Sequence, residues 1–139
     1  GEFLPNDGSF VDLDDAGTDA NGLPLARIHS HNDPLAVRRL AAMARSCRLL
    51  LQAAGVKTLV EEYGTYDFYS AAHVFGTCRM GSDPATSVVD VDLRAHGWQN
   101  LLICDASVFP SSGGGEAPSL TIQALAIRAA DRLAKRSES

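Results

Sequence analysis

Residues 100–133 read NLLICDASVFPSSGGGEAPSLTIQALAIRAADRL. The run Leu101–Cys104 is continuously apolar, which predicts a short strand buried on both faces. Asp105 follows at its carboxyl end, where ligands bind in open α/β sheets. An aspartate placed there either accepts hydrogen bonds from the hydroxyls of a polyol or ribose, or caps the next turn. The segment FPSSGGGEAPS is too rich in Gly, Pro and Ser for regular structure. Beyond it Ile122, Leu125, Ala126, Ala129 and Leu133 recur at helical spacing and mark a closing helix. Arg132, Lys135 and Arg136 lie toward its dipole-negative end. Consecutive glycines ahead of a helix let N–H groups turn toward an electron-rich ligand. A flexible surface loop is the plain alternative. The loop has no Lys followed by Ser or Thr, so it is not a phosphate P-loop. The chain has no Gly-x-Gly-x-x-Gly after a strand, which excludes a dinucleotide half-domain of the usual kind.

Upstream, residues 70–81 read SAAHVFGTCRMG. Taken alone, His73 is core filler or surface histidine, a metal ligand, or a proton acceptor. GSDPATS then forms a turn cluster, and VVDVDLR predicts a strand parted from NLLICDAS by a turn at HGWQN. In the first half, FVDLDD alternates as a half-buried strand, ANGLP turns, and LARIHSH alternates again as its partner. Asn32 or Asp33 caps a helix whose first turn holds Pro34. Val37, Leu40, Ala41, Ala44, Cys47, Leu51 and Ala54 give its apolar stripe, and Gly55 ends it in a left-handed conformation. VKTLVEEY predicts a further strand.

Composition narrows the classes. Apolar residues make up 45% and charged residues 21% of 139 residues, which fits a folded domain and not a disordered chain. The net charge of −5 comes without any basic stripe, which argues against nucleic acid as a partner. No apolar run approaches the length of a membrane span, and the chain reads as soluble, cytoplasmic or periplasmic. Cys47, Cys78 and Cys104 are widely spaced and read as reduced thiols, with Cys78 in a packing role. His29 and His31 share a strand face, but two ligands do not complete a zinc site, so no metal is expected. Asp33 beside them is better used as a helix cap, and His96 falls in a turn.

In this order the motifs HVFGTCRMG and SVVDVDLRAHGWQNLLICDASVFPSSGGGEAPSLTIQALAIRAADRL closely resemble the C-terminal region of the glucose–methanol–choline oxidoreductases. These are flavin enzymes that oxidise alcohols. The resemblance covers residues 71–134, and residues 1–70 are similar to the family's substrate-binding region. It implies an α+β fold with α/β pieces. Residues 1–98 then carry mainly antiparallel strands and helices of the substrate domain. Residues 99–139 carry a returning strand, a loop and the closing helix of the FAD-binding domain.

The resemblance also implies roles. His73 falls at the active-site histidine, which accepts the hydroxyl proton while a hydride leaves the alcohol carbon for flavin N5. Asp105 and Ala106 fall where the family contacts the ribityl and pyrophosphate part of FAD. Pro118, Ser119 and Leu120 fall where the chain passes the flavin pyrimidine and enters the closing helix. A second polar group, Asn or His, commonly precedes the proline. Ala117 stands there, and the neighbouring Glu116 is the candidate substitute, in an orienting or electrostatic role. The implied partners are a small alcohol or sugar and an N-terminal FAD-binding segment or subunit. This chain alone is expected to bind FAD weakly or not at all. A non-catalytic interaction module and a lyase-like relative are the competing readings.

Overall fold

The computed structural model describes residues 4–62, 73–113 and 117–137. The fold is α+β. Strands β1 (Phe10–Thr18) and β2 (Pro24–His29) form an antiparallel hairpin, followed by helix α1 (Pro34–Ala53). A one-turn 3₁₀ helix (Ala106–Val108) and helix α2 (Ser119–Ser137) complete the regular elements among the described residues.

The hairpin turns where Asn-Gly predicts it. The Asp19 carboxylate accepts the N–H groups of Asn21 and Leu23 at 2.8 and 2.9 Å, and Gly22 takes φ +78°. Those N–H donors hold the Asp19 carboxyl below its ordinary value. The register pairs Phe10 with His29 and Asp12 with Arg27, placing both pairs on one face. There the Arg27 guanidinium grips Asp12 through two bonds of 2.9 and 2.8 Å, and the Phe10 and His29 rings stack at 4.1 Å. The opposite face carries Val11, Leu13 and Ile28 and is open, with Ile28 73% exposed. The strands form as the alternation predicts, but their apolar face is not half-buried as expected.

Helix α1 starts and stops by local chemistry. Asp33 is the cap: its Oδ1 accepts Leu35 N–H at 2.7 Å and Ala36 N–H at 2.9 Å, with Pro34 in the first turn. At the other end Gly55 takes φ +91°. Gly55 N–H then bonds the Gln52 carbonyl and Val56 N–H the Leu51 carbonyl, the pairing of a Schellman stop. No residue of α1 is buried.

Three predicted strands are corrected. Residues 56–62 of VKTLVEEY are not a strand, and Tyr63 lies outside the described residues. A strand needs a neighbour for its N–H and C=O groups. The sheet among the described residues holds only β1 and β2, and Val60 stands 90% exposed. VVDVDLR and NLLICDAS also fail to form strands. They make only isolated bridges, Val89 to Met80 and Ala95, and Arg94 to Leu102. The cause is Asp90, whose Oδ1 accepts the N–H groups of both Asp92 and Arg94 and bends the chain into a tight loop. The LLIC run has this loop on one side only, so Leu101 and Cys104 are exposed rather than buried.

That loop anchors the core. Val89, Leu93, Ala95 and Val108 are buried together with Ala129 of α2, and Leu125 packs against them. Further contacts fix α2 to the loop: Arg128 donates to the Val91 carbonyl, and Arg132 pairs with Asp92. Leu93 holds φ +66° while fully buried. Left-handed backbone costs a non-glycine residue about 1–2 kcal/mol, whereas burying a leucine gains about 1.5–3 kcal/mol, so burial wins.

The core is small for the chain. The surface is 10474 Å², whereas a compact 14.7 kDa chain exposes about 7,000 Å². The exposed residues include apolar side chains of the open hairpin face, Leu49 and Leu50 of α1, and Val60. No helix among the described residues is long and apolar enough to cross a membrane.

The Leu93 balance is testable. Leu93→Gly removes the strain and the buried side chain together. Because a core cavity costs about 2–5 kcal/mol, the net effect is a loss of about 1–3 kcal/mol. Urea unfolding of the protein containing this segment measures it, and a stabilised variant would show that strain dominates.

Candidate active site

Gly76 is the pivot of the candidate site. It takes φ +91°, a conformation that glycine adopts without cost. The chain after it then runs along residues 107–108. Gly76 N–H and Cys78 N–H both donate to the Ser107 carbonyl, at 3.1 and 2.9 Å, and Met80 N–H donates to the Val108 carbonyl at 2.8 Å. Phe75 stacks on Phe109 with ring centroids 6.5 Å apart. Segments some thirty positions apart in sequence are thereby held side by side.

Asp105 begins the one-turn 3₁₀ helix. Its Oδ1 accepts Ser107 N–H at 2.8 Å. The Ser107 hydroxyl and then its N–H hold the Asp105 carboxyl below its ordinary value, against a smaller opposing effect of burial. Both alternatives left by the sequence are therefore compatible: Asp105 caps the turn, and its side chain still faces a groove.

The groove has a volume of about 490 Å³, within the range of small-molecule sites. Its lining brings together residues 73–75 and Thr77, residues 105–107, and Pro118 with Ile122 at the start of α2. The first turn of α2 is set by Ile122 N–H donating to the Pro118 carbonyl at 2.9 Å. His73 is exposed at the rim. Thus His73, Asp105, Ala106 and Pro118, which the resemblance implies as site residues, line one space. Ser119 and Leu120 do not line it: both are exposed, Leu120 by 79%. Glu116 lies outside the described residues, and Ala117 is exposed. Thr77, Ser107 and Ile122 line the groove without having been picked out by sequence; helical spacing marks Ile122 only as a packing residue.

The other candidates lie elsewhere. His29 stacks on Phe10 with its Nε2 3.2 Å from Asp12, and His31 packs against Gly8. His96 Nε2 lies 2.9 Å from Ser87 Oγ, within its turn. No group of three or more His, Cys, Asp or Glu among the described residues could hold a metal ion. A second hollow near Asp92, Arg94 and Arg132 measures about 10 Å³, room for about one water, and so is not a ligand site.

The sequence matches the family profile described as GMC oxidoreductase over residues 5–126. The chain belongs to the GMC oxidoreductase family. Among its curated relatives, paromamine 6'-oxidase of Streptomyces fradiae is 41% identical over 116 residues, covering 84% of this chain and 21% of the relative. The 6'''-hydroxyparomomycin C oxidase of Streptomyces lividus is 40% identical with the same coverage. The 2-methyl-1,2-propanediol dehydrogenase of Mycolicibacterium austroafricanum is 34% identical over 98% of this chain and 24% of its own length. This GMC chain therefore spans about a fifth to a quarter of the length of these relatives.

Gly76→Ala tests whether the pivot builds the groove. An added Cβ has room, since it would meet only the Phe109 carbonyl oxygen at 3.5 Å, so the cost is backbone strain. The variant is expected to lose about 1–2 kcal/mol of stability in urea unfolding. Unchanged stability would mean that the left-handed turn is dispensable.

Proposed function

We propose that this chain forms the His73–Asp105–α2 part of the active site of an FAD-dependent alcohol oxidoreductase. The observation that carries the reading is the convergence of His73, Asp105, Ala106 and Pro118 on one groove. The donor set suits a flavin. Phe75, Ala106, Pro118 and Ile122 offer apolar walls for a ring system. Asp105 offers ribityl hydroxyls a carboxylate already oriented by Ser107. The first N–H groups of α2 lack partners within the helix and favour negative charge at its start. FAD bound here would supply the hydride acceptor.

The chain's own residues have defined tasks in this proposal. One imidazole nitrogen of His73 takes the proton from the substrate hydroxyl as the carbon gives up hydride. Asp105 orients the cofactor through hydrogen bonds. Glu116 supports His73 by orientation or charge, so Glu116→Gln is expected to slow flavin reduction less than His73→Ala does. The dinucleotide-binding segment that completes the site lies outside these 139 residues, in keeping with their coverage of a fifth of the relatives. The apolar faces of the hairpin and α1 are surfaces it could cover. The substrate class is a small alcohol or sugar. The relatives named for oxidising paromamine, hydroxyparomomycin C and a propanediol support that class.

In the complete enzyme, His73→Ala is expected to slow flavin reduction by about 10²–10⁴-fold while FAD stays bound. Rapid mixing with the alcohol, followed at the flavin absorbance, measures it. An unchanged rate would remove His73 from the chemistry. The same assay applied to Glu116→Gln decides its role: a loss of thermal stability with an unchanged rate would reduce it to a helix cap.

A further inference from the structure

We infer that Thr77 is a further cofactor-contacting residue, its hydroxyl hydrogen-bonding a polar oxygen of the flavin at the Asp105 end of the groove. The inference rests on the flavin reading of that groove and deepens it. Thr77 lies between Gly76 and Cys78, whose N–H groups both donate to the Ser107 carbonyl. Thr77 lines the groove and is exposed. Its position is rigid, because the bonds on either side of it and the Met80 bond to Val108 fix the backbone. A β-branched side chain also has few χ1 rotamers, so the hydroxyl needs little further ordering to bind.

The hydroxyl is also available. Among the described residues it has no hydrogen-bond partner, unlike Ser107, whose hydroxyl is engaged with Asp105. Of the polar side chains lining the groove, Asp105 is held ionised by Ser107 and accepts hydrogen bonds only. Thr77 is the complementary group, since a hydroxyl can donate. A flavin presents hydroxyls to the carboxylate and carbonyl or hydroxyl oxygens to a donor. The pairing of an acceptor at Asp105 with a donor at Thr77 suits that mixed edge. Residues 76 and 78 are tied to Ser107, two positions from Asp105, and on this inference Thr77 lies at the Asp105 end of the groove.

The test measures FAD binding, not turnover. Full-length enzyme containing this segment is stripped of flavin and titrated with FAD, following the quenching of flavin fluorescence. Thr77→Val keeps shape and removes the hydroxyl. It is expected to weaken FAD binding about fivefold to tenfold, the effect of one lost hydrogen bond. Thr77→Ser keeps the hydroxyl and should stay within about twofold of the parent. Thr77→Ala repeats the deletion without the β-branch, should the valine variant fold poorly. Parental FAD affinity in folded Thr77→Val or Thr77→Ala would overturn the inference. Asp105→Ala, run in parallel, separates the two levels. If it weakens FAD binding while the Thr77 variants do not, only the Thr77 assignment falls. If neither position affects FAD binding, the flavin reading of the groove falls with it.

Discussion

The Ser107 carbonyl holds this structure together at the point that matters. It accepts two N–H groups, from Gly76 and Cys78, and so joins the segment carrying His73 to the turn carrying Asp105. Each such bond contributes only about 0.5–1.5 kcal/mol net. Their importance lies in geometry. With the Met80–Val108 bond and the Phe75–Phe109 contact, they hold residues 75–80 beside residues 107–109. Gly76 takes φ +91° at this point, and its own N–H and that of Cys78 share the one acceptor.

A second layer of contacts places α2 against the same frame. Ala129 is buried beside Val89, Leu93 and Val108, and Arg128 and Arg132 reach the loop at residues 91–92. A helix is a stiff rod, so anchoring its middle sets where its first turn, with Pro118 and Ile122, meets the groove. The buried, left-handed Leu93 shows how firmly this loop is determined: core burial outweighs the backbone strain. The rest of the chain is built differently. The hairpin and α1 are specified by caps, turns and register, but their apolar faces stay open. The chain belongs to the GMC oxidoreductase family and spans about a fifth of the length of the paromamine oxidase it matches.

What was legible in the sequence was local. Asp33 and Gly55 announce the ends of α1, Asn21-Gly22 announces the hairpin turn, and the spacing from Ile122 onward announces α2. Each signal depends on contacts within a few residues. The strands expected at 56–63, 88–94 and 100–107 were not legible, because a strand is defined by its neighbour. Apolar runs such as LLIC carry the same pattern whether or not that neighbour is present. The motif order correctly pointed to the family, and His73, Asp105, Ala106 and Pro118 do share a groove. Thr77 and Ser107 escaped notice because their placement follows from a backbone carbonyl and from a glycine dihedral, neither of which leaves a side-chain pattern. Ser119 and Leu120, which the resemblance implies as cofactor contacts, are exposed at the start of α2 and are not among the residues lining the groove.

The most direct measurement is a crystal structure of the complete enzyme loaded with FAD and an unreactive alcohol analogue. The expected outcome has the flavin in this groove, the Asp105 carboxylate about 3 Å from a ribityl hydroxyl, and a His73 nitrogen about 3 Å from the alcohol oxygen. A flavin bound elsewhere, with residues 76–80 still paired to residues 107–108, would overturn the account: the groove would be intact and its proposed purpose wrong.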